Sequence, residues 1–191
     1  MISYRLSDFI LFSDKAYYRQ FELYNHAIWP LHLIALVFSL VIIYALWKKP
    51  AWAGRVIAAL LILSWIWVAW AFLFERFYHI HIVANWYAFG FILQAGLISW
   101  YGVIKNQFSL FVQSKFRINI GLVLLFIALI IYPLIAFVTG RSWLQFEMFS
   151  LAPDPTVLAT FAILFLCKVS AVLYVVPIIW LLISGITLVV M

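Results

Sequence analysis

The residues best suited to chemistry are four histidines and a few carboxylates, and they recur at one kind of position. His26 and His32 open the first long apolar run, Glu75, His79 and His81 separate the second run from the third, and Glu147 and Asp154 follow the fourth. Imidazoles and carboxylates drawn together by a helical bundle can bind a divalent cation, ligate a haem or relay protons. His26, Glu75, His79, His81 and Glu147 are the candidate metal ligands on this reading. Against it, His79-x-His81 is not a spaced metal motif, and such side chains at the ends of apolar runs ordinarily sit in water or among headgroups. No cofactor is predicted, with haem or a divalent metal as the alternative.

A second set lies deeper. His32 falls about a turn and a half after His26, inside the apolar run, where ionisable groups are costly and often functional. Asn85 and Gln94 lie in the third run, where amides serve either as contacts between helices or as contacts to a solute. Pro153-Asp154-Pro155-Thr156 reads as a helix start with Pro155 at the first position and Asp154 as cap. A helix terminus beside an outward pocket also holds anionic groups in transporters. His32, Asn85, Gln94, Asp154 and Thr156 are the candidate binding residues. No nucleophile triad, glycine-rich nucleotide loop, paired-carboxylate motif or HExxH helix is present, so an enzyme acting alone is not expected. The single cysteine, Cys167, excludes an intrachain disulfide and reads as a small buried residue.

The elements that must position these residues are set by composition. Of 191 residues 69% are hydrophobic and 9% charged, with a mean hydropathy of +1.15. A soluble core of this size would leave much of that surface uncovered, so lipid is the expected solvent. Trp and Tyr, ten of each, fit the two interfaces of a bilayer. About 20 apolar residues cross roughly 30 Å of hydrocarbon. Runs of that kind cover residues 27–47, 56–74, 82–104 and 118–138, and the stretch from 155 to the end divides into 155–169 and 171–191, hinged near Lys168 to Ser170. The expected fold is a single all-α domain over 1–191, a polytopic bundle of about six spans. Before it, Tyr17, Phe21, Tyr24 and Ile28 recur at helical spacing. They predict an amphipathic interfacial helix, capped by Ser13 and turning into the membrane near Pro30.

With six spans the charges sort themselves. Lys48, Lys49, Arg55, Lys105, Lys115, Arg117 and Lys168 fall on one side, and every acidic residue, Asp8, Asp14, Glu22, Glu75, Glu147 and Asp154, falls on the other. The positive-inside rule makes the first side cytoplasmic and places both termini outside. The net charge of +6 reflects this scatter and forms no patch for nucleic acid.

The order of motifs resembles an uncharacterised family of bacterial multi-pass membrane proteins catalogued as a domain of unknown function, DUF6064. Tyr24-Asn25 and Trp29-Pro30 open the first span, Tyr78-His79 closes the second, and Asn85, Phe89-Gly90 and Gln94 mark the third. Tyr132-Pro133 and Gly140 follow, then Pro153-x-Pro155-Thr156, then Pro177 and Trp180. The family pattern carries a cysteine between the two prolines and a histidine after the glycine, where this chain has Asp154 and Arg141, so a cysteine–histidine metal site does not carry over. The resemblance implies a bundle in the bacterial inner membrane and no mechanism.

These readings converge on a non-enzymatic membrane protein that passes a small solute or ion or serves as a helical subunit of a larger membrane assembly. Its expected partners are the lipid bilayer and either another membrane protein or further copies of itself. The alternative is a haem- or metal-binding protein of electron transfer.

Overall fold

The structure, a computed structural model, describes residues 14–79, 83–109, 111–112 and 114–190. The cap expected at Ser13, the side chain of His79 and all of His81 lie outside the described residues, as does Asp8.

Hydrocarbon offers no hydrogen bonds to a peptide group, so apolar runs of this length close their backbone bonds internally as helices. The runs do so here. α1 (Asp14–Ala27) precedes α2 (Leu31–Lys48), and α3 (Ala53–Trp67) continues into a π-helical segment, Val68–Phe74. α4 (Ala84–Ile98) likewise continues as a π-helical segment, Ser99–Ile104. α5 (Lys115–Phe126) and α6 (Tyr132–Val138) are two halves of one span joined by π-helical Ile127–Ile131. α7 (Pro153–Leu166) and α8 (Val175–Val190) complete the bundle. Five of these units are long and apolar enough to cross a membrane: Leu31–Lys48, Ala53–Phe74, Ala84–Ile104, Lys115–Val138 and Ala171–Val189. The break expected near Lys168 to Ser170 is present, and residues 168–170 are non-helical between α7 and the 3-10 turn Ala171–Tyr174. Pro177 sits in the first turn of α8, where its missing N–H disturbs nothing.

The exception is α7. At 14 residues it reaches only roughly 21 Å, short of a full span. Its start follows Leu151, whose carbonyl accepts from the Tyr24 hydroxyl at 2.9 Å. Past its far end, Cys167 forms a bridge with Phe111, and the Leu166 carbonyl accepts from the Val112 N–H at 3.0 Å. The missing length is supplied by two connections folded into the ends of the bundle. Phe149, Leu151 and Ala152 are buried at one end, and Phe108 and Val112 at the other. Irregular backbone is tolerated at this depth because protein, not lipid, surrounds it.

α7 is also the centre of the core. Val157, Ala159, Ala162, Ile163 and Leu164 are fully buried, and only one narrow stripe, Leu158, Phe161 and Phe165, is partly exposed. α5 lies closest, across Gly121: a Cβ there would sit 2.7 Å from Leu166 Cγ and 3.0 Å from the Ala162 carbonyl oxygen. The C-terminal carbonyls of α7 are closed by Arg117, whose guanidinium donates to Leu164 and Cys167 at 3.2 Å each. A cation at this end also complements the helix dipole.

The apolar stripe of α1 is consumed by the protein. Phe21 stacks on Phe72 at 4.7 Å between ring centroids, and Tyr17 meets Phe77 edge-on at 5.9 Å. α1 therefore lies over the acidic end of the bundle and turns into α2 through residues 28–30.

Replacing Gly121 with Val should lower the melting temperature in detergent by several degrees, equivalent to about 1–3 kcal/mol of overpacking. Gly90→Ala, where nothing lies within 4 Å of the added carbon, should leave it unchanged or slightly raised. Thermal unfolding followed by circular dichroism checks both.

Candidate functional site

The polar residues of the acidic end form one junction beneath α1. Its floor is Asp154, 4% exposed at the second position of α7. Oδ1 accepts from Trp180 Nε1 at 2.6 Å, while Oδ2 accepts from the Tyr132 hydroxyl at 2.9 Å and the Ser184 hydroxyl at 2.7 Å. Three donors from α6 and α8 thus converge on one carboxylate of α7. Charge-assisted bonds of this kind are the strong ones.

The helix start differs from the expectation in a way that explains this. α7 begins two residues earlier, with Pro153 at its first position and Ala152 as the capping residue, and Asp154 makes no cap bond. Proline already removes one of the unpaired N–H groups of the first turn, which frees the Asp154 side chain to reach across to α6 and α8. Thr156 serves the turn instead. Its hydroxyl accepts from the Ser150 N–H at 2.9 Å and donates to the Ala152 carbonyl at 2.7 Å. Ser150 stands at φ 74°, an unusual place for a non-glycine residue. That bond and a 2.9 Å contact between the Ser150 and Ser64 hydroxyls hold it there. Lower in the bundle Trp65 Nε1 donates to the Thr160 hydroxyl at 2.9 Å. The N-terminus of α7 is therefore covered by buried loop, not turned to an outward pocket.

Above Asp154 lies a second layer. Glu147, 6% exposed, faces Arg141 with 3.7 Å between Oε1 and Nη1, an ion pair outside hydrogen-bond distance. Glu147 Oε2 and Arg141 Nη1 are both buried without a hydrogen-bond partner. The guanidinium stacks on Tyr18 of α1 at 4.1 Å and donates through Nε to Thr139 at 2.9 Å. Burial, reinforced by the neighbouring Asp154 charge and opposed by Arg141, pushes the Glu147 carboxyl up to about 8.

His32 belongs to the scaffolding of this end. Its Nε2 donates to Asn25 Oδ1 at 3.2 Å, and Asn25 Nδ2 donates to the Leu144 and Phe146 carbonyls at 2.8 Å each. Asn25 is thereby fixed as the clamp between α1 and the connection over residues 139–152. Gln145 adds a bond to Glu22 at 3.2 Å.

Of the predicted binding residues, only Asp154 and Thr156 fall together. Gln94 is buried elsewhere, donating to the Leu173 carbonyl at 2.9 Å. Asn85 is exposed, lining a surface hollow of about 390 Å³ with Trp70 and Phe89. The predicted metal ligands whose side chains are described, His26, Glu75 and Glu147, do not converge either. His26 and Glu75 are exposed, Glu147 faces Arg141, and no three of His, Cys, Asp or Glu could share an ion among the described residues.

Sequence reading missed Tyr132, Arg141, Trp180 and Ser184 as parts of the junction. Trp180 and Ser184 stand four apart on one face of an otherwise apolar helix, and Tyr132 is a hydroxyl within a span. Each was a visible signal for a buried acceptor.

The architecture defines a class: an all-helical, membrane-type bundle folded about one short internal helix. The chain belongs to the family of unknown function DUF6064, which matches residues 14–191. It matches no curated protein and no solved structure.

The Glu147 carboxyl gives a pH signature. Its folded value is raised, so the protonated group favours the fold. That stability is complete below the ordinary carboxylate value, 4.5, and is lost as pH climbs toward 8. Melting temperature should fall between about pH 5 and pH 8, and Glu147→Gln should flatten that slope.

Proposed function

We propose that this protein is a non-enzymatic helical subunit of a membrane assembly, seated in a bacterial inner membrane with its basic loops in the cytoplasm and both termini outside. One observation carries the reading: most of the buried polar side chains that a permeation path would gather around a space are bonded within the protein instead, although Gln94 Oε1 and His32 Nδ1 are left without a partner. Asp154 is saturated by Tyr132, Trp180 and Ser184. Thr156, Thr160, Trp65, Ser64 and Ser150 close a second network, and Gln94 is engaged with Leu173. A hollow beside Ser184 and Tyr17 measures about 20 Å³, room for a single water. A rigid interior of this kind suits a body that presents fixed outer faces to neighbouring helices. Sidedness follows from the basic loops.

A second reading, uptake of a small polar solute or ion, is favoured by the unpartnered Arg141 Nη1 and Glu147 Oε2, since buried orphaned groups call for a water, an ion or a ligand. Proteoliposomes separate the two. In a subunit, flux of protons, sodium or potassium stays at the protein-free level, while Asp154→Ala strands three donors and lowers the melting temperature by the equivalent of roughly 3–5 kcal/mol. Mass photometry in nanodiscs should also give a particle heavier than one chain when native membrane is solubilised directly. A saturable flux that Arg141→Gln abolishes at unchanged melting temperature would overturn the subunit reading.

The haem or metal alternative is decided by an absorption spectrum and metal analysis of the purified protein. Neither a Soret band nor stoichiometric metal is expected, and His26→Ala should change nothing.

A further inference from the structure

At the basic end the bundle is not closed on its outer side. α2 packs on α3 and α5 packs on α7, and the two outer helices leave a groove of about 360 Å³ between them. Ile43, Leu46 and Trp47 of α2 form one wall, Leu122 of α5 forms the other, and Leu166, the last residue of the short α7, contributes to the floor. The groove exists because α7 stops there.

One charged side chain lines it. Lys49 follows the last residue of α2 in the left-handed conformation, at φ 48°, which turns the chain at the end of the span. Its Nζ lies 5.0 Å from the centre of the Phe111 ring, another lining residue, and among the described residues Lys49 pairs with no carboxylate. Lys48, by contrast, turns onto Trp47, 4.1 Å from its ring. The surroundings carry one sign of charge: Arg55, Lys105, Lys115, Arg117 and Lys168 share this end, and among the described residues no Asp or Glu does.

We propose that this groove is a binding site for one anionic phospholipid, with an acyl chain along the walls and the phosphate on Lys49. An apolar trough that ends in an unpaired ammonium at the depth where a span stops is complementary to a chain joined to a phosphate. The walls argue against a protein occupant. Helices pack in membranes through small residues that let backbones approach, whereas these walls are Ile, Leu, Trp and Phe, irregular and bulky, a surface that a flexible chain fills better than a helix.

Native mass spectrometry of the full chain released from nanodiscs of mixed phosphatidylglycerol and phosphatidylcholine tests this. The protein should retain one phosphatidylglycerol in preference to phosphatidylcholine. Lys49→Gln should reduce that retention about fivefold, the worth of one lysine at an anionic surface, and Lys48→Gln should leave it intact. Leu122→Trp and, on the opposite wall, Ile43→Trp should both expel the lipid. These positions are exposed, so folding should be preserved, as circular dichroism will verify. Equal retention of the two lipids, or retention indifferent to Lys49→Gln, overturns the proposal. A dimer that Leu122→Trp dissociates also overturns it, because the groove would then be a seam between two copies.

Discussion

A carboxyl group removed from water must find its hydrogen-bond partners within the protein, and Asp154 sets that demand in the first turn of the most deeply buried helix. Meeting it requires Trp180 and Ser184 to face inward from α8 and Tyr132 to face inward from the far half of the fourth span. Once those three contacts are made, the relative rotation of α6, α7 and α8 at this level is fixed. Removing one partner of such a set leaves the others unsatisfied in a medium with nothing to offer them. The arrangement is therefore as specific as it is costly.

The shortness of α7 follows through the rest of the molecule. Because it cannot reach either interface alone, the connections around it fold inward and bring their own polar backbone, and each end needs a local answer. At the basic end Arg117 satisfies the last carbonyls, joined by the Tyr174 hydroxyl, which donates to Leu164 at 2.6 Å. At the acidic end Thr156, Ser150 and Ser64 do so, and α1 seals the result with a layer of aromatic rings. The same geometry explains why the buried Arg141–Glu147 pair stays imperfect. Both residues are carried by a connection held mainly from outside, by Asn25 and Glu22, so their approach is set by the loop and not by their attraction.

The helices were legible in the sequence because hydropathy over twenty residues is a strong signal, and the break at Lys168 to Ser170 showed itself as a lone charge in a run too long for one span. The amphipathic pattern of Tyr17, Phe21 and Tyr24 was equally plain, although periodicity alone did not say that the protein, through Phe72 and Phe77, would cover that stripe. The site was only half legible. Asp154 and Thr156 were marked by the two prolines, but periodicity says nothing about which side chain of a neighbouring span will reach a given carboxylate. An imidazole inside an apolar run left His32 open to two readings, a pathway or a bond between elements, and in the structure it steadies the asparagine that clamps a loop. His26 and His32, one exposed and the other buried, show that residues near helix ends share a depth without sharing an azimuth around the bundle.

A helix buried on all but one narrow stripe has a consequence for how the chain is made. Fourteen residues with an aspartate in the first turn are too short and too polar at one end to partition from a translocation channel into lipid as an independent segment. α7 reaches its place only when the preceding helices already offer it a protein-lined berth and α8 follows to supply the tryptophan and serine. The geometry thus favours an order in which the last two helices enter together as a hairpin against helices already in place.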